Sequence, residues 1–439
     1  MATRVLLKKT TSRCPVCKAA CPGEVWKPED GSPGVYLSRI CAEHGENTAC
    51  IASDSRFYWL ASGEPGNACC GGKATLGRNA AGRCGAAFDT LSTCIALIEI
   101  VNSCNLECPT CFAASPLGDG KRVDAVPLAD LQRRIQGIVD RKGGIEILQL
   151  SGGEPTLHPQ FFDLVAWVQA HEKIDYVVVN TNGVRIATDD AFVAELAVAT
   201  ARKGLQLYLQ YDGPQADGQF ALRGADLRNV KSRAVERCGA MGLPITLAMT
   251  VSNENLPFAW EAARFGLEHP HIHGITYQPM FQSGRFAAPG KRLNAADILL
   301  SLIAGSEGLL SEKDFTPLPC GDPNCAIIGY LIRKEGGFYS ISDFVDFSRL
   351  QGFLQDRLKY NLDDLVRCGC DVEPLGEVLK ELEIRPDHPF RMMVKPFMDA
   401  WTWDQDRIDR CCTHVIRPDG KLDSFCRYYS GFPDTWRAP

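Results

Sequence analysis

The sequence predicts an α/β protein: a partial (β/α)6 barrel, preceded by a small N-terminal metal-binding module and followed by a C-terminal cysteine-rich extension of helical and irregular chain. Three observations carry this prediction. Short apolar runs alternate with amphipathic segments six times between residues 95 and 290, the pattern of parallel strands joined by crossover helices. The alternation shows no reversal cue, and six units are too few for a closed eightfold barrel. The chain also carries 20 cysteines in 439 residues, grouped before, within and after the alternating region.

Residues 1–60 hold short β-type runs such as "GVYLSRI" and two ligand pairs, Cys14 with Cys17 and Cys41 with His44. C-x2-C followed about two dozen residues later by C-x2-H predicts one tetrahedral metal site, with zinc or a rubredoxin-like iron as occupant. Cys21 or Cys50 stands as an alternative to His44. Residues 61–94 read as a connector rich in glycine, "EPGNACCGGKATLGRNAAGRCG". The barrel is expected over 95–290. Its strands are "CIALIEI", "IEILQL", "DYVVVN", "LQLYLQY", "PITLAMTV" and "GITYQPM". Its helices lie near 127–141, 159–172, 189–203, 226–241 and 257–268. Residues 291–439 form the extension, with helical stretches "AADILLSLIAG" and "FSRLQGFLQDRLKYNLDDLV" around Cys320, Cys325, Cys368, Cys370, Cys411, Cys412 and Cys426.

Composition narrows the function classes. An apolar fraction of 45% supports a buried core, and a net charge of −6 argues against a nucleic-acid surface. No apolar run reaches the roughly 18–20 residues that span a bilayer, which leaves room only for a peripheral membrane contact. The first residues, "MATRVLLKKTTSRC", lack an h-region. Many cysteines in a long chain without an export signal suit metal-bound thiolates in a reducing cytoplasm.

The chemistry concentrates in "IVNSCNLECPTCFAAS", where Cys104, Cys108 and Cys111 follow the first barrel strand. Strand C-terminal ends are where β/α barrels place their chemistry. Packed thiols, a zinc site and an iron–sulfur site are the available readings. Three thiolates fall one short of a closed zinc site. They also leave one iron open if they hold a four-iron cubane, which four cysteines usually ligate.

This loop, with Phe112 directly after its third cysteine, resembles that of the radical S-adenosylmethionine (radical SAM) enzymes. The resemblance implies a [4Fe–4S] cluster whose open iron chelates SAM, cleaved on reduction to a 5′-deoxyadenosyl radical that abstracts hydrogen from an unreactive C–H bond. Gly152, Gly153, Glu154 and Pro155 resemble the motif that receives SAM's amino group. Asn180, Thr181 and Asn182 end strand three. Gln210 and Asp212 end strand four as candidates for ribose or substrate. Tyr277, Gln278 and Arg285 follow strand six, near adenine or carboxylate.

Over nearly the whole chain, "FMDAWTWDQDRIDRCCTH" and the other cysteine motifs look like the group containing archaeal tetraether-lipid synthase and tetrahydromethanopterin C-methylase-like enzymes. The resemblance implies C–C bond formation or methylation on an apolar lipid or cofactor-like small molecule, with a reductant such as ferredoxin or flavodoxin. Two departures stand out: the group's "FCAYN" reads "FCRYY", and part of a cysteine run is missing from the connector. The extension's seven cysteines suffice for one auxiliary [4Fe–4S] cluster. A second would draw on His414, Cys238, Cys69, Cys70, Cys84 or Cys94. A peptide-modifying radical enzyme and a non-catalytic multi-cluster electron carrier are the alternative functions.

Overall fold

The structure, a computed structural model, describes residues 3–61, 93–118, 123–202, 204–286, 291–318, 321–344 and 388–432. The connector cysteines Cys69, Cys70 and Cys84, together with Cys320, Cys368, Cys370 and the second expected C-terminal helix, lie outside the described residues.

Four antiparallel strands in sequential order form the N-terminal module: β1 (Arg4–Arg13), β2 (Ala20–Pro28), β3 (Val35–Cys41) and β4 (Gly45–Ala52). Its two metal-ligand pairs sit at the turns. The β1–β2 turn closes through Lys18 N donating to Cys14 O at 3.0 Å. Gly45, with φ 67°, closes the other turn opposite Cys41.

The main sheet has six parallel strands, each beside its sequence neighbour: β5 (Ile95–Val101), β6 (Ile145–Gly152), β7 (Ile174–Thr181), β8 (Leu205–Gln210), β9 (Ile245–Val251) and β10 (Ile272–Pro279). The crossovers carry α1 (Leu128–Lys142), α2 (Phe161–Gln169), α3 (Val184–Thr188), α4 (Asp190–Thr200), α5 (Gln219–Arg223), α6 (Arg228–Ala240) and α7 (Ala259–Leu267). Strands covered on both faces need apolar residues at nearly every position, and β9, "ITLAMTV", is buried at six of its seven. Helix α1 buries Leu131, Ile135, Ile138 and Val139, one stripe at helical spacing, and stops at Gly143 in the left-handed region.

The extension departs from the helical and irregular expectation. Helix α8 (Ala295–Gly305) forms as expected, opened by a capping box between Asn294 and Asp297. The chain then supplies β11 (Thr316–Pro317), β12 (Ile327–Lys334), β13 (Gly337–Ser340), β14 (Pro389–Val394), β15 (Thr413–Ile416) and β16 (Leu422–Ser424), with α9 (Gln405–Asp409) and α10 (Phe425–Tyr429). Strand β14 pairs parallel with β10, and β15 pairs parallel with β5. An open sheet exposes unpaired N–H and C=O groups at both edges. The C-terminal strands cover both, so one sheet runs across the expected boundary near residue 290. Among the described residues, no helix is long and apolar enough to cross a membrane.

Candidate active site at the strand ends

The three-cysteine loop leaves β5 at Val101 and is fixed by its own backbone. Cys104 N donates to Pro116 O at 2.9 Å, and Gly118 N donates back to Cys104 O at 2.7 Å. Burial pushes the Cys104 thiol up to about 12, with Glu154 and then the neighbouring Cys108 and Cys111 adding to the shift. The Cys108 thiol is raised as well, chiefly by burial, against the opposing pull of Arg223. Thiols on one strand-end loop, raised at Cys104 and Cys108, are the donor type that a cationic metal centre takes as thiolates.

Three other strand ends grip this loop. Gly153 N donates to Val101 O at 2.7 Å, and Glu154 N donates to Ser103 O at 3.0 Å. A Cβ on Gly152 would lie 2.0 Å from Val101 O, and one on Gly153 would lie 2.0 Å from Ser103 O. Both glycines are therefore required for the contact between β6 and the cysteine loop. The segment after β10 holds the far side. Arg285 donates from its backbone N to Cys111 O at 2.9 Å, from Nε to Cys108 O at 3.0 Å and from Nη1 to Ser115 O at 3.0 Å.

The Glu154 carboxylate faces protein donors. It accepts from Asn182 N at 2.8 Å, Thr181 Oγ1 at 2.7 Å, Thr156 Oγ1 at 2.7 Å and Thr156 N at 3.2 Å. These bonds tie the end of β6 to the end of β7 and oppose the burial that raises its pKa. Asn182 continues the chain of contacts, donating from Nδ2 to Asn105 Oδ1 at 2.6 Å, with Cys104 Sγ 3.9 Å away. Asn180 donates to Ser151 Oγ at 3.2 Å. Asp212 receives Arg223 through two bonds, at 2.7 and 2.8 Å, and Gln210 presents its carbonyl to the same guanidinium. Gln278 donates to Tyr208 Oη at 2.9 Å. Tyr277 is a core residue whose hydroxyl donates to Ala259 O. Phe112 stacks with Phe281, Phe425 and Tyr429, the last edge-on at 4.9 Å. Tyr428 and Tyr429, the last two residues of "FCRYY", both donate to Glu99 of β5, at 2.8 and 2.7 Å.

Two buried cations escaped the sequence reading. Arg223 ends α5, and Lys231 lies on the buried side of α6, where its ammonium donates to Asn182 O. Burial lowers the Lys231 pKa to about 8, while Asp212 and Glu154 pull it back up. A lysine in register with Leu227, Ala234, Val235 and Cys238 breaks an otherwise apolar stripe, and that break was legible.

The N-terminal pairs converge. The ligand atoms of Cys14, Cys17, Cys41 and His44 all lie within 4.8 Å of one another. Cys17 Sγ is 3.7 Å from Cys41 Sγ, and His44 Nδ1 is 3.6 Å from Cys41 Sγ. A tetrahedral ion with bonds of about 2.3 Å needs sulfurs roughly 3.8 Å apart. Cys21 packs beside this set, whereas Cys50 donates to Ala52 O at 3.3 Å and is not part of it.

The C-terminal cysteines divide into two groups. Burial raises the thiols of Cys325, Cys411 and Cys426, Cys325 adds to the shift of the other two, and Arg407 opposes it at Cys325 and Cys426. Cys412 instead packs with Cys94 and Leu318. The adjacent Cys411 and Cys412 thus serve different neighbourhoods. Cys238 is a core thiol of α6, and His414 Nδ1 is paired with Thr93 Oγ1 at 2.9 Å.

Residues 98–265 match the radical SAM superfamily, and residues 6–53 match the HMPTM N-terminal zinc ribbon domain. The chain is similar to the 7,8-dihydro-6-hydroxymethylpterin dimethyltransferase of Methanocaldococcus jannaschii, at 25% identity over 96% of this chain and 93% of that protein. It is also similar to the mycofactocin maturase MftC of Mycobacterium tuberculosis, at 31% identity, over 38% of this chain and 41% of the maturase. Among solved structures, Streptococcus suis SuiB bound to S-adenosylmethionine aligns with a TM-score of 0.41 and 19% identity, over 49% of this chain and 47% of SuiB.

Proposed function

We propose, from the premise that this chain is a radical SAM enzyme with an N-terminal zinc ribbon, that it functionalises an unactivated C–H bond of a pterin-like small molecule, by methylation. The observation that carries the substrate class is the match along nearly the full length of both chains to a pterin dimethyltransferase. A [4Fe–4S] cluster with SAM supplies the 5′-deoxyadenosyl radical. Cys104, Cys108 and Cys111 are assigned as its ligands, because they are the three thiols of the loop that the ends of β6, β7 and β10 grip.

The other residues divide into two roles. Glu154, Asn182, Gly152, Gly153 and Arg285 position the cysteine loop. Phe112, Asn180, Gln210, Asp212 and Gln278 line or brace the strand ends where SAM and substrate meet. Zinc is assigned to Cys14, Cys17, Cys41 and His44, since three thiolates and one imidazole form a structural zinc set. Cys325, Cys411 and Cys426 are assigned to one auxiliary [4Fe–4S] cluster, with Cys320, Cys368 and Cys370 as further candidate ligands, while Cys412, beside Cys94, is assigned to a separate site. Residues 1–60, 61–94, 95–290 and 291–439 serve as the functional units, in a cytoplasmic setting with a ferredoxin or flavodoxin as reductant.

A peptide substrate has support from a relative matched over part of the chain, the PqqA peptide cyclase of Streptomyces rochei, at 36% of this chain. The test is anaerobic reconstitution with iron and sulfide, followed by SAM and strong reductant. The expected result is release of 5′-deoxyadenosine, increased by 7,8-dihydro-6-hydroxymethylpterin and abolished in Cys104→Ala. Release stimulated only by a peptide or a hydrocarbon chain would overturn the pterin reading.

A further inference from the structure

The exit of the N-terminal module, the end of β10 and the C-terminal extension enclose a cavity of about 50 Å³. Its lining includes three residues with a buried polar atom that has no hydrogen-bond partner among the described residues: Tyr58 Oη, Arg292 Nη1 and Arg407 Nε. Two of these atoms can only donate. The third belongs to a phenol that burial, Asp404 and Asp322 all keep protonated. A cavity whose unused polar atoms are donors calls for acceptors.

Charge decides which kind of acceptor fits. Arg292 is ion-paired with Asp399, and Arg407 lies 4.0 Å from Asp322. Asp404 is paired with Lys8 at 2.6 Å. With Arg39 beside Asp399 and Arg292, and Asp406 as the second partner of Lys8, four cations face four carboxylates. An oxyanion would add a negative charge that nothing here balances, which is costly in a buried site. Neutral carbonyl and ring-nitrogen acceptors carry no such penalty. Phe57, Met280 and Phe397 supply apolar walls that suit a flat ring.

Position ties the cavity to the radical chemistry. Met280, Arg292 and Leu293 also line a second cavity of about 240 Å³, which reaches Thr110 of the cysteine loop. The same side chains thus border both the smaller space and the one beside the cysteine loop. We propose that the smaller cavity holds the acceptor-bearing edge of a neutral heterocyclic lactam of the reduced-pterin class, with Tyr58 and Arg292 as its recognition residues. This inference rests on the pterin reading of the function and assigns it a place.

Binding of 7,8-dihydro-6-hydroxymethylpterin to the full-length, cluster-loaded protein tests it, by anaerobic equilibrium dialysis beside thermal unfolding. Tyr58→Phe removes one oxygen that has no partner among the described residues. The expected result is about three- to tenfold weaker binding, the scale of one hydrogen bond, with a Tm equal to or above that of the parent. Arg292→Lys keeps the charge opposite Asp399 and is expected to weaken binding by at least as much. Equal affinity in both variants would overturn the cavity assignment and leave the pterin reading intact. No binding by the parent protein would overturn that reading and the cavity's ligand with it. Tyr58→Phe losing Tm together with affinity would show a structural hydroxyl and overturn the recognition role.

Discussion

Arg223 and Asp212 are 9% and 1% exposed at their side chains and meet through two parallel bonds, with Thr250 Oγ1 taking a further donor at 2.9 Å. Such a pair in a dry site is costly to break from one side, because the remaining charge loses both water and partner. Arg223→Met is therefore expected to destabilise the protein by about 3–5 kcal/mol in urea unfolding. Adding Asp212→Asn removes the stranded charge and should restore most of that loss. A double variant no more stable than the single would show that Arg223 acts through packing alone. Lys231, beside the same pair and Glu154, makes the space behind Cys108 a buried charge network. The sequence reading had assigned Asp212 to ribose or substrate, since a carboxylate at a strand end looks the same whether it faces a ligand or a guanidinium. The partner lies 11 residues away on α5, and only the folded chain brings the two together.

At the scale of elements, the cysteine loop depends on backbone-to-backbone contact with the end of β6. A methyl group on Gly153 would collide with Ser103 O at 2.0 Å, and neither backbone can retreat without parting β6 from the loop. Gly153→Ala is expected to cost about 1–3 kcal/mol through overpacking and to lower the iron bound at this loop, while far-ultraviolet circular dichroism stays unchanged. Full iron content in a variant of normal stability would show that the loop tolerates displacement. The glycines are legible in "GGEP", but the backbone they admit, that of the neighbouring loop, shows only in the fold. The parallel strands were legible because burial on both faces leaves runs such as "ITLAMTV" unbroken. Strand β12, "IIGYLIRK", has the same texture and is buried over its first six positions. It stands outside the alternation with helices, so its place in the sheet could not be read from pattern. Its neighbour β14 is more than 50 positions later in the sequence, and sheet pairing at such a separation leaves no local trace.

For the whole molecule, the N-terminal module matters because of what it touches. Arg39 is fully buried and donates to Ala400 O at 3.0 Å and Trp401 O at 2.7 Å, while burial draws its pKa down to about 10. Thr10 Oγ1 donates to Asp404 at 2.7 Å, and Lys8 pairs with the same carboxylate. The module thereby braces residues 399–406, and Asp399 within them holds Arg292. A four-stranded sheet of this size has little core of its own, so an ion held by Cys14, Cys17, Cys41 and His44 would supply much of its folding free energy, about 10–16 kcal/mol in isolated zinc-finger peptides. Cys14→Ser is accordingly expected to lose the zinc and to speed hydrogen exchange through β1–β4 and at the amide of Trp401, which donates to Asp399. Iron at Cys104, Cys108 and Cys111 should remain, because β6, β7 and β10 hold that loop without the module. Zinc and iron contents, measured together on the purified variant, check the first and last of these outcomes, and exchange mass spectrometry checks the second. Loss of both metals would instead place the module within the folding unit of the cysteine loop. Loss of zinc with unchanged exchange would show that the ion is not what braces residues 399–406.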